Sequence, residues 1–311
     1  MKLVTFIDQK NEERIGAIDN LGRIADLHRA YGSYLREVES NPAGEQLAAI
    51  VLGRDMVEFL KRGDEALAAA RNALDHIASH DVSGGIVFAR EQVHLKSPVP
   101  RPGALVSAGK NFSDHVAEMA SKKGPAAPVA FLKLPGSVIG PEDDIPYPPE
   151  VKNLDYEVEL AIVIGKVTTD ISQAQALDHI FGYTVFNDVT ARDKQAAHGQ
   201  WFKGKSFDTF GPMGPCIVTK DEFGDPSGHR ITLRVNGETR QDSNTSDLLF
   251  NVPAIVESVC ASLTLHPGDV IATGTPSGVA LGMTPQKFLN TGDVMEAEVE
   301  GIGVLRNKVV E

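Results

Sequence analysis

The stretch Asn153-Leu154-Asp155-Tyr156-Glu157-Val158-Glu159-Leu160-Ala161-Ile162-Val163-Ile164-Gly165 runs two glutamates directly into an uninterrupted apolar segment. The β-branched and alternating character of Tyr156 to Ile164 predicts a strand, and residues two apart on a strand share a face. Glu157 and Glu159 therefore project together, opposite Tyr156, Val158 and Leu160. Two carboxylates side by side next to a core strand repel one another and lose hydration, unless a proton or a cation intervenes. A hard divalent cation answers the problem, because Mg²⁺, Mn²⁺ and Ca²⁺ take oxygen ligands. The alternative is a row of solvent-facing acids on an edge strand, and the pair alone does not decide between the two.

Outward from that stretch, Phe181-Gly182-Tyr183-Thr184-Val185-Phe186-Asn187-Asp188 reads as another apolar strand ending in an acid. Val189 to Gln195 has helical character, and on a helix Asp188, Arg192 and Gln195 fall at i, i+4 and i+7, along one face. Asp188 is then either an N-cap with Arg192 as a surface partner, or a third carboxylate on the cation with Arg192 and Gln195 pointing into the same cleft. Three carboxylates leave positions open for substrate oxygens, as a catalytic ion requires. Lys203-Gly204-Lys205-Ser206-Phe207-Asp208 sets a lysine among glycine and aromatic residues, surroundings that a solvated lysine does not need. Ile271 to Val279 is a strand leading into Thr273-Gly274-Thr275-Pro276-Ser277-Gly278, whose backbone N–H groups and hydroxyls suit an anion. Both segments could equally be plain tight turns.

Of the nine histidines, His115 has the most pointed company. Ser107 to Glu118 leaves a strand, turns and begins a helix on which His115 and Glu118 stand at i, i+3. Such a pair raises imidazole basicity and orients it towards a water. The following Ser121 to Pro128 is polar and glycine- and proline-containing, as a closing lid would be. The remaining histidines read as structural or solvated, and Trp201, the one tryptophan, reads as packing.

The whole chain sets the frame for these readings. It has 311 residues, 42% apolar and 23% charged, with 30 Lys+Arg against 42 Asp+Glu, a net charge of −12. That composition is ordinary for a globular protein. The acidic balance argues against a nucleic-acid surface, which needs clustered basic residues. No apolar run reaches the ~18 residues of a membrane span. The charges of MKLVTFIDQKNEER stand where a signal peptide would be apolar, so a cytoplasmic location is expected. Cys216 and Cys260, the only cysteines, are too far apart for a zinc motif or a disulfide framework. Strands are expected over Lys2–Ile7 and Arg14–Ile18. A helix is expected over Asp55–Ser79, or two shorter ones because Gly63 weakens it. Ser97-Pro98-Val99-Pro100-Arg101-Pro102-Gly103 reads as an extended connector. The expected organisation is a small α/β N-terminal domain over residues 1–96, followed by a main domain over 97–311. The fold class is α+β, mainly antiparallel and mixed.

DYEVELAIVIGK, FGYTVFNDVTARD, GKSFDTFGPMGP and GDVIATGTPSGV, in this order and spacing, closely resemble the fumarylacetoacetate hydrolase superfamily over roughly residues 100–310. The resemblance implies a mixed β-roll, a homodimer and a divalent cation, Mg²⁺ or Mn²⁺ and sometimes Ca²⁺. It implies Glu157, Glu159 and Asp188 as metal ligands, His115 and Glu118 as a catalytic dyad, and Lys205 as a catalytic cation. Arg192, Gln195 and Thr275 would contact substrate. Fumarylacetoacetate hydrolases proper carry a further acid on the strand before the histidine, where this chain has Ser107-Ala108-Gly109-Lys110. The sequence thus looks more like the acylpyruvate hydrolase and hydroxymuconate-isomerase branch. The leading expectation is hydrolytic C–C cleavage of a 2,4-dioxo acid through a stabilised enolate. The alternative is an isomerase, tautomerase or decarboxylase of 2-hydroxy-dienedioates or oxaloacetate that uses the same enolate without attack by water.

Overall fold

The computed structural model describes residues 1–80, 84–118 and 124–311. The reactive motifs are brought together by strand register. In the largest sheet the strand Val158–Ile164 lies between Ile180–Asn187 and Val270–Ala272, antiparallel to both. Val158 pairs with Asn187, so the chain after Asn187 leaves the sheet beside Glu157, and the Asp188 N–H donates to the Glu157 carbonyl at 2.8 Å. On the other side Ala161 pairs with Ala272, so the loop that begins at Thr273 passes over Glu159. Parallel to Val270–Ala272 runs Leu105–Gly109, whose end feeds the helix Ser113–Glu118. Val129–Lys133 closes that edge. Four segments far apart in sequence thus finish at one rim.

All seven residues of Val158–Ile164 are buried, so the strand is covered on both faces. Val158, Leu160 and Ile162 join one apolar cluster with Ile231, Leu233, Ala297 and Leu305 of a second, five-stranded sheet. Ala161 and Val163 join the other cluster with Phe59, Leu60, Ala66 and Ala70 of the N-terminal helices. Glu157 and Glu159 share the parity of Ala161 and Val163, so the acids stand on the face opposite the five-stranded sheet, beyond the end of the apolar packing. The architecture is α+β, with mixed sheets that are mostly antiparallel. The three parallel pairings, among the described residues, are Val270–Ala272 with Leu105–Gly109, Val138–Ile139 with Gly211–Thr219, and Asp144–Pro146 with Gly303–Val310.

The N-terminal strands do not form a sheet of their own. Lys2 pairs with Val218 and Leu3 with Ile217, which extends the central sheet by Lys2–Ile7, Glu13–Ile18, Ile24–Asp26 and Val87–Phe88. Asp55 to Ser79 takes the two-helix form: Met56–Arg62, capped by Asp55 accepting from Glu58 N–H at 2.8 Å, then Asp64–Ser79, with Gly63 between them at φ 56°. The strand expected from Tyr156 starts at Val158 instead. Leu154–Asp155 forms a separate two-residue ladder with Thr190–Ala191, and Tyr156 and Glu157 make the step between the two pairings. Among the described residues no helix is long and apolar enough to cross a membrane.

Candidate active site

The rim encloses a cavity of about 440 Å³ whose wall includes Glu157, Glu159, His115, Lys205, Arg192 and Thr275. Gln195 also lines it. One ligand oxygen from each of Glu157, Glu159 and Asp188 lies within 4.8 Å of the others, and all three residues are buried.

The reading of Asp188, Arg192 and Gln195 as one helix face is overturned. The helix begins only at Arg192 and runs to Ala197. The Thr190–Ala191 ladder keeps the preceding chain extended, so Asp188 is neither helical nor an N-cap. Tertiary placement still links Asp188 to Arg192, through Lys205 and Glu157, and Arg192 to Gln195. Lys133 Nζ donates to Asp188 Oδ1 at 2.6 Å, and Lys205 Nζ bridges Asp188 Oδ2 at 2.7 Å and Glu157 Oε2 at 2.6 Å. Arg192 donates from Nε to Asp155 Oδ2 at 2.8 Å, from Nη2 to Glu157 Oε1 at 2.6 Å and from Nη1 to Gln195 Oε1 at 3.1 Å. Arginine has five N–H donors, so two are left for a substrate oxygen.

Four buried carboxylates, Asp155, Glu157, Glu159 and Asp188, thus meet three buried cations, Lys133, Lys205 and Arg192. Glu159 is the acid left over, and its recorded contact is the Gly274 N–H donating to Oε2 at 2.8 Å. Burial, with the Asp188 and Glu157 charges added, raises its pKa well above the ordinary carboxylate value. Burial also works against ionisation of Glu157, but Lys205 and Arg192 outweigh it and hold that group at about 2. For Lys205, burial is likewise outweighed, by Asp188 and Glu157, and the ammonium is favoured. Lys133 goes the other way: burial, with Lys205 nearby, lowers its pKa despite Asp188. An excess buried carboxylate among hard oxygen donors is the surrounding a divalent cation neutralises, so these residues fit such an ion.

The histidine pair is formed as expected. His115 Nδ1 lies 3.3 Å from Glu118 Oε2, and Glu118 Oε1 accepts from the Gly278 N–H at 3.0 Å. With Nδ1–H donated to the carboxylate, Nε2 carries the lone pair. Asp114 ties the same helix to the same loop, accepting from the Ser277 hydroxyl at 2.7 Å. Gly282 sits directly over Glu118: a Cβ built there would fall 2.2 Å from its Cδ. Gly282→Ala is therefore expected to push the flexible Glu118 carboxylate off His115, lowering kcat about tenfold or more while changing Tm little. A kcat equal to wild type in steady-state assays would refute the positioning role. Of the proposed lid, residues 121–123 lie outside those described.

Three residues at this site went unassigned in the sequence reading. Lys133 carries no local signal, being one lysine in an exposed-looking strand whose partner lies 55 positions away. Asp155 lies two residues before Glu157, yet its work is visible only in space: besides Arg192 it accepts the Ala280 and Leu281 N–H groups at 2.8 and 3.1 Å. Gln241 holds Thr275 in place, its Nε2 donating to the Thr275 hydroxyl at 2.8 Å. Trp201, read as packing, packs on Phe131 and also lines the cavity.

Three acids, a histidine–glutamate pair and a buried lysine on one rim of the sheet have the make-up of an enzyme site. The family model described as fumarylacetoacetate (FAA) hydrolase C-terminal matches residues 104–310, and the chain belongs to that family. It is 40% identical over 303 residues to the oxaloacetate tautomerase YisK of Bacillus subtilis (strain 168), covering 96% of this chain and 97% of the relative. It is 43% identical over 260 residues to the mitochondrial oxaloacetate tautomerase Fahd2a of Rattus norvegicus, covering 83% and 80%. The fumarylacetoacetate hydrolase structure from Exiguobacterium antarcticum superposes with a TM-score of 0.79 at 38% identity, covering 100% of this chain and 99% of that one.

Proposed function

We propose that this chain is a keto–enol tautomerase of a 2-oxo acid, with oxaloacetate the first substrate to test. The observation that carries the reading is His115, backed by Glu118, standing on the wall of the cavity that Glu157 and Glu159 of the acid cluster also line. The names of the two curated relatives favour this proton-moving chemistry over the hydrolytic expectation. A divalent cation held by Glu157, Glu159 and Asp188, Mg²⁺ or Mn²⁺ with Ca²⁺ as a further choice, would supply Lewis-acid polarisation of the 2-oxo group.

The protein groups do the rest. His115 Nε2 takes a proton from C3 of the keto form, the C–H pair becomes the C2–C3 double bond, and the carbonyl pair moves onto the 2-oxygen, which is then protonated. Glu118 keeps Nδ1 protonated, so the imidazolium formed is charge-balanced. Lys205 has spent two of its three N–H groups on Glu157 and Asp188 and has one left for the developing oxyanion, with Gln195 beside it. Thr275 and the spare donors of Arg192 receive the C1 carboxylate.

Two assays test the reading: decay of oxaloacetate enol absorbance, and C3 deuteration in D₂O followed by NMR. Wild-type protein with Mg²⁺ should speed both without releasing cleavage products. His115→Asn should lower kcat by about 10²- to 10⁴-fold. Cleavage of acylpyruvates without acceleration of oxaloacetate tautomerisation would return the hydrolase reading.

A further inference from the structure

The cavity has two unlike ends. At the inner end every cation is matched: Lys205 faces Glu157 and Asp188, and Arg192 faces Asp155 and Glu157, all within 3 Å. From there an aromatic wall leads outward. Lys205 Nζ stands 5.4 Å from the Phe131 ring centre, Phe131 meets Trp201 edge-on at 5.2 Å and 78°, and Lys110 Nζ stands 6.0 Å from the Trp201 ring centre. Lys110, exposed at the far end of that wall, also lines the cavity, and among the described residues its recorded partner is the indole, not a carboxylate.

Its placement is fixed by the chain on both sides. The indole lies so close on the Gly109 backbone that a Cβ there would fall 2.4 Å from Trp201 Cζ3. Next comes Lys110 itself at φ 55°, a left-handed conformation that glycine would adopt without strain. Asn111 then anchors the turn, donating to the Phe250 and Thr273 carbonyls at 3.0 and 2.8 Å. A long cationic side chain thus occupies a strained position at the mouth of the site, with no carboxylate partner among the described residues.

We propose that Lys110, backed by Trp201, receives a second carboxylate of the substrate, so that the site selects dicarboxylic 2-oxo acids over monocarboxylic ones. A substrate held at the inner end by its C1 carboxylate and 2-oxo group extends along the Phe131–Trp201 wall. An anion at its other end then meets a cation that no acid among the described residues competes for. The proposal rests on the reading of the cavity as a 2-oxo acid site.

Calorimetric binding of oxaloacetate and of pyruvate to the Mg²⁺-loaded protein tests it without relying on turnover. Wild-type protein should bind oxaloacetate at least about tenfold more tightly than pyruvate. Lys110→Met should shrink that preference to under about threefold while pyruvate affinity stays close to wild type, which also reports that the site is folded. Lys110→Arg should keep the preference. A preference intact in Lys110→Met, or absent from wild type, overturns the proposal. Tight binding that depends on Lys110 but is accompanied by no tautomerisation leaves it standing and removes the proposed function instead.

Discussion

Glu159→Gln is expected to leave the chelator-treated protein as stable as wild type or more so, and to abolish both its response to divalent cations and about three orders of magnitude of activity. Glu159 is 1% exposed and lacks a cation partner among the described residues, and Asp188 and Glu157 disfavour its charge. Glutamine has the same shape, keeps an oxygen for the Gly274 N–H and removes a buried ionisable carboxyl that no cation among the described residues pairs with. The wild-type protein should gain about 2.7 kcal/mol at an Mg²⁺ concentration 100 times Kd, and the variant should gain none. Loss of several kcal/mol of transition-state stabilisation corresponds to about 10³ in rate. The pH dependence has a definite sign. Because the folded pKa lies above the ordinary 4.5, the native state keeps a proton that the unfolded chain releases. Without metal, wild-type stability therefore falls as pH rises from about 4.5 through the folded value, and this part of the slope is missing from Glu159→Gln. Urea melts with and without chelator across that range are the measurement. Equal Mg²⁺ protection of variant and wild type would sink the assignment of Glu159 as a ligand.

The same residue marks what could be read from the sequence. The two-residue period is enough to put Glu157 and Glu159 on one face, but it leaves a buried pair and a solvent-facing row equally open, and only the strand pairing on both sides of Val158–Ile164 buries them. Asp188 could be named because its own strand ends in an acid. How it arrives could not be named, since the short ladder of Leu154–Asp155 with Thr190–Ala191 interrupts what looked like a helix. Lys133 and Asp155 were invisible as partners because charge matching inside a cluster is a property of register, and register joins segments whose local patterns are mutually silent. The N-terminal strands show the same limit: Lys2–Ile7 is legible as a strand, but its pairing with Gly211–Thr219 is written in neither segment alone.

Lys205→Met should act in the opposite sense to Glu159→Gln on the metal-free protein. The ammonium is 2% exposed and bridges two carboxylates that face each other across it. Its removal leaves Glu157 with Arg192 and Asp188 with Lys133, and it takes one positive charge from a cluster already short by one. Breaking a buried pair in this way costs about 3–5 kcal/mol, which should appear in chelator as a clear loss of Tm and of the urea midpoint. Mg²⁺ should restore much of that loss, because a divalent cation neutralises the same carboxylates, yet it should not restore turnover. The N–H that Lys205 offers to the oxyanion is gone, and loss of such a donor is worth about 10²- to 10³-fold in kcat. Lys205→Arg should not rescue activity either, since a planar guanidinium cannot fit the space closed by Phe131, Glu157 and Asp188. Stability recovered by Mg²⁺ with activity still absent separates the two roles of one side chain, as structural counter-charge and as oxyanion donor. A metal-free Tm unchanged by Lys205→Met would show that the bridge contributes nothing, and the charge accounting of the whole cluster would have to be redrawn.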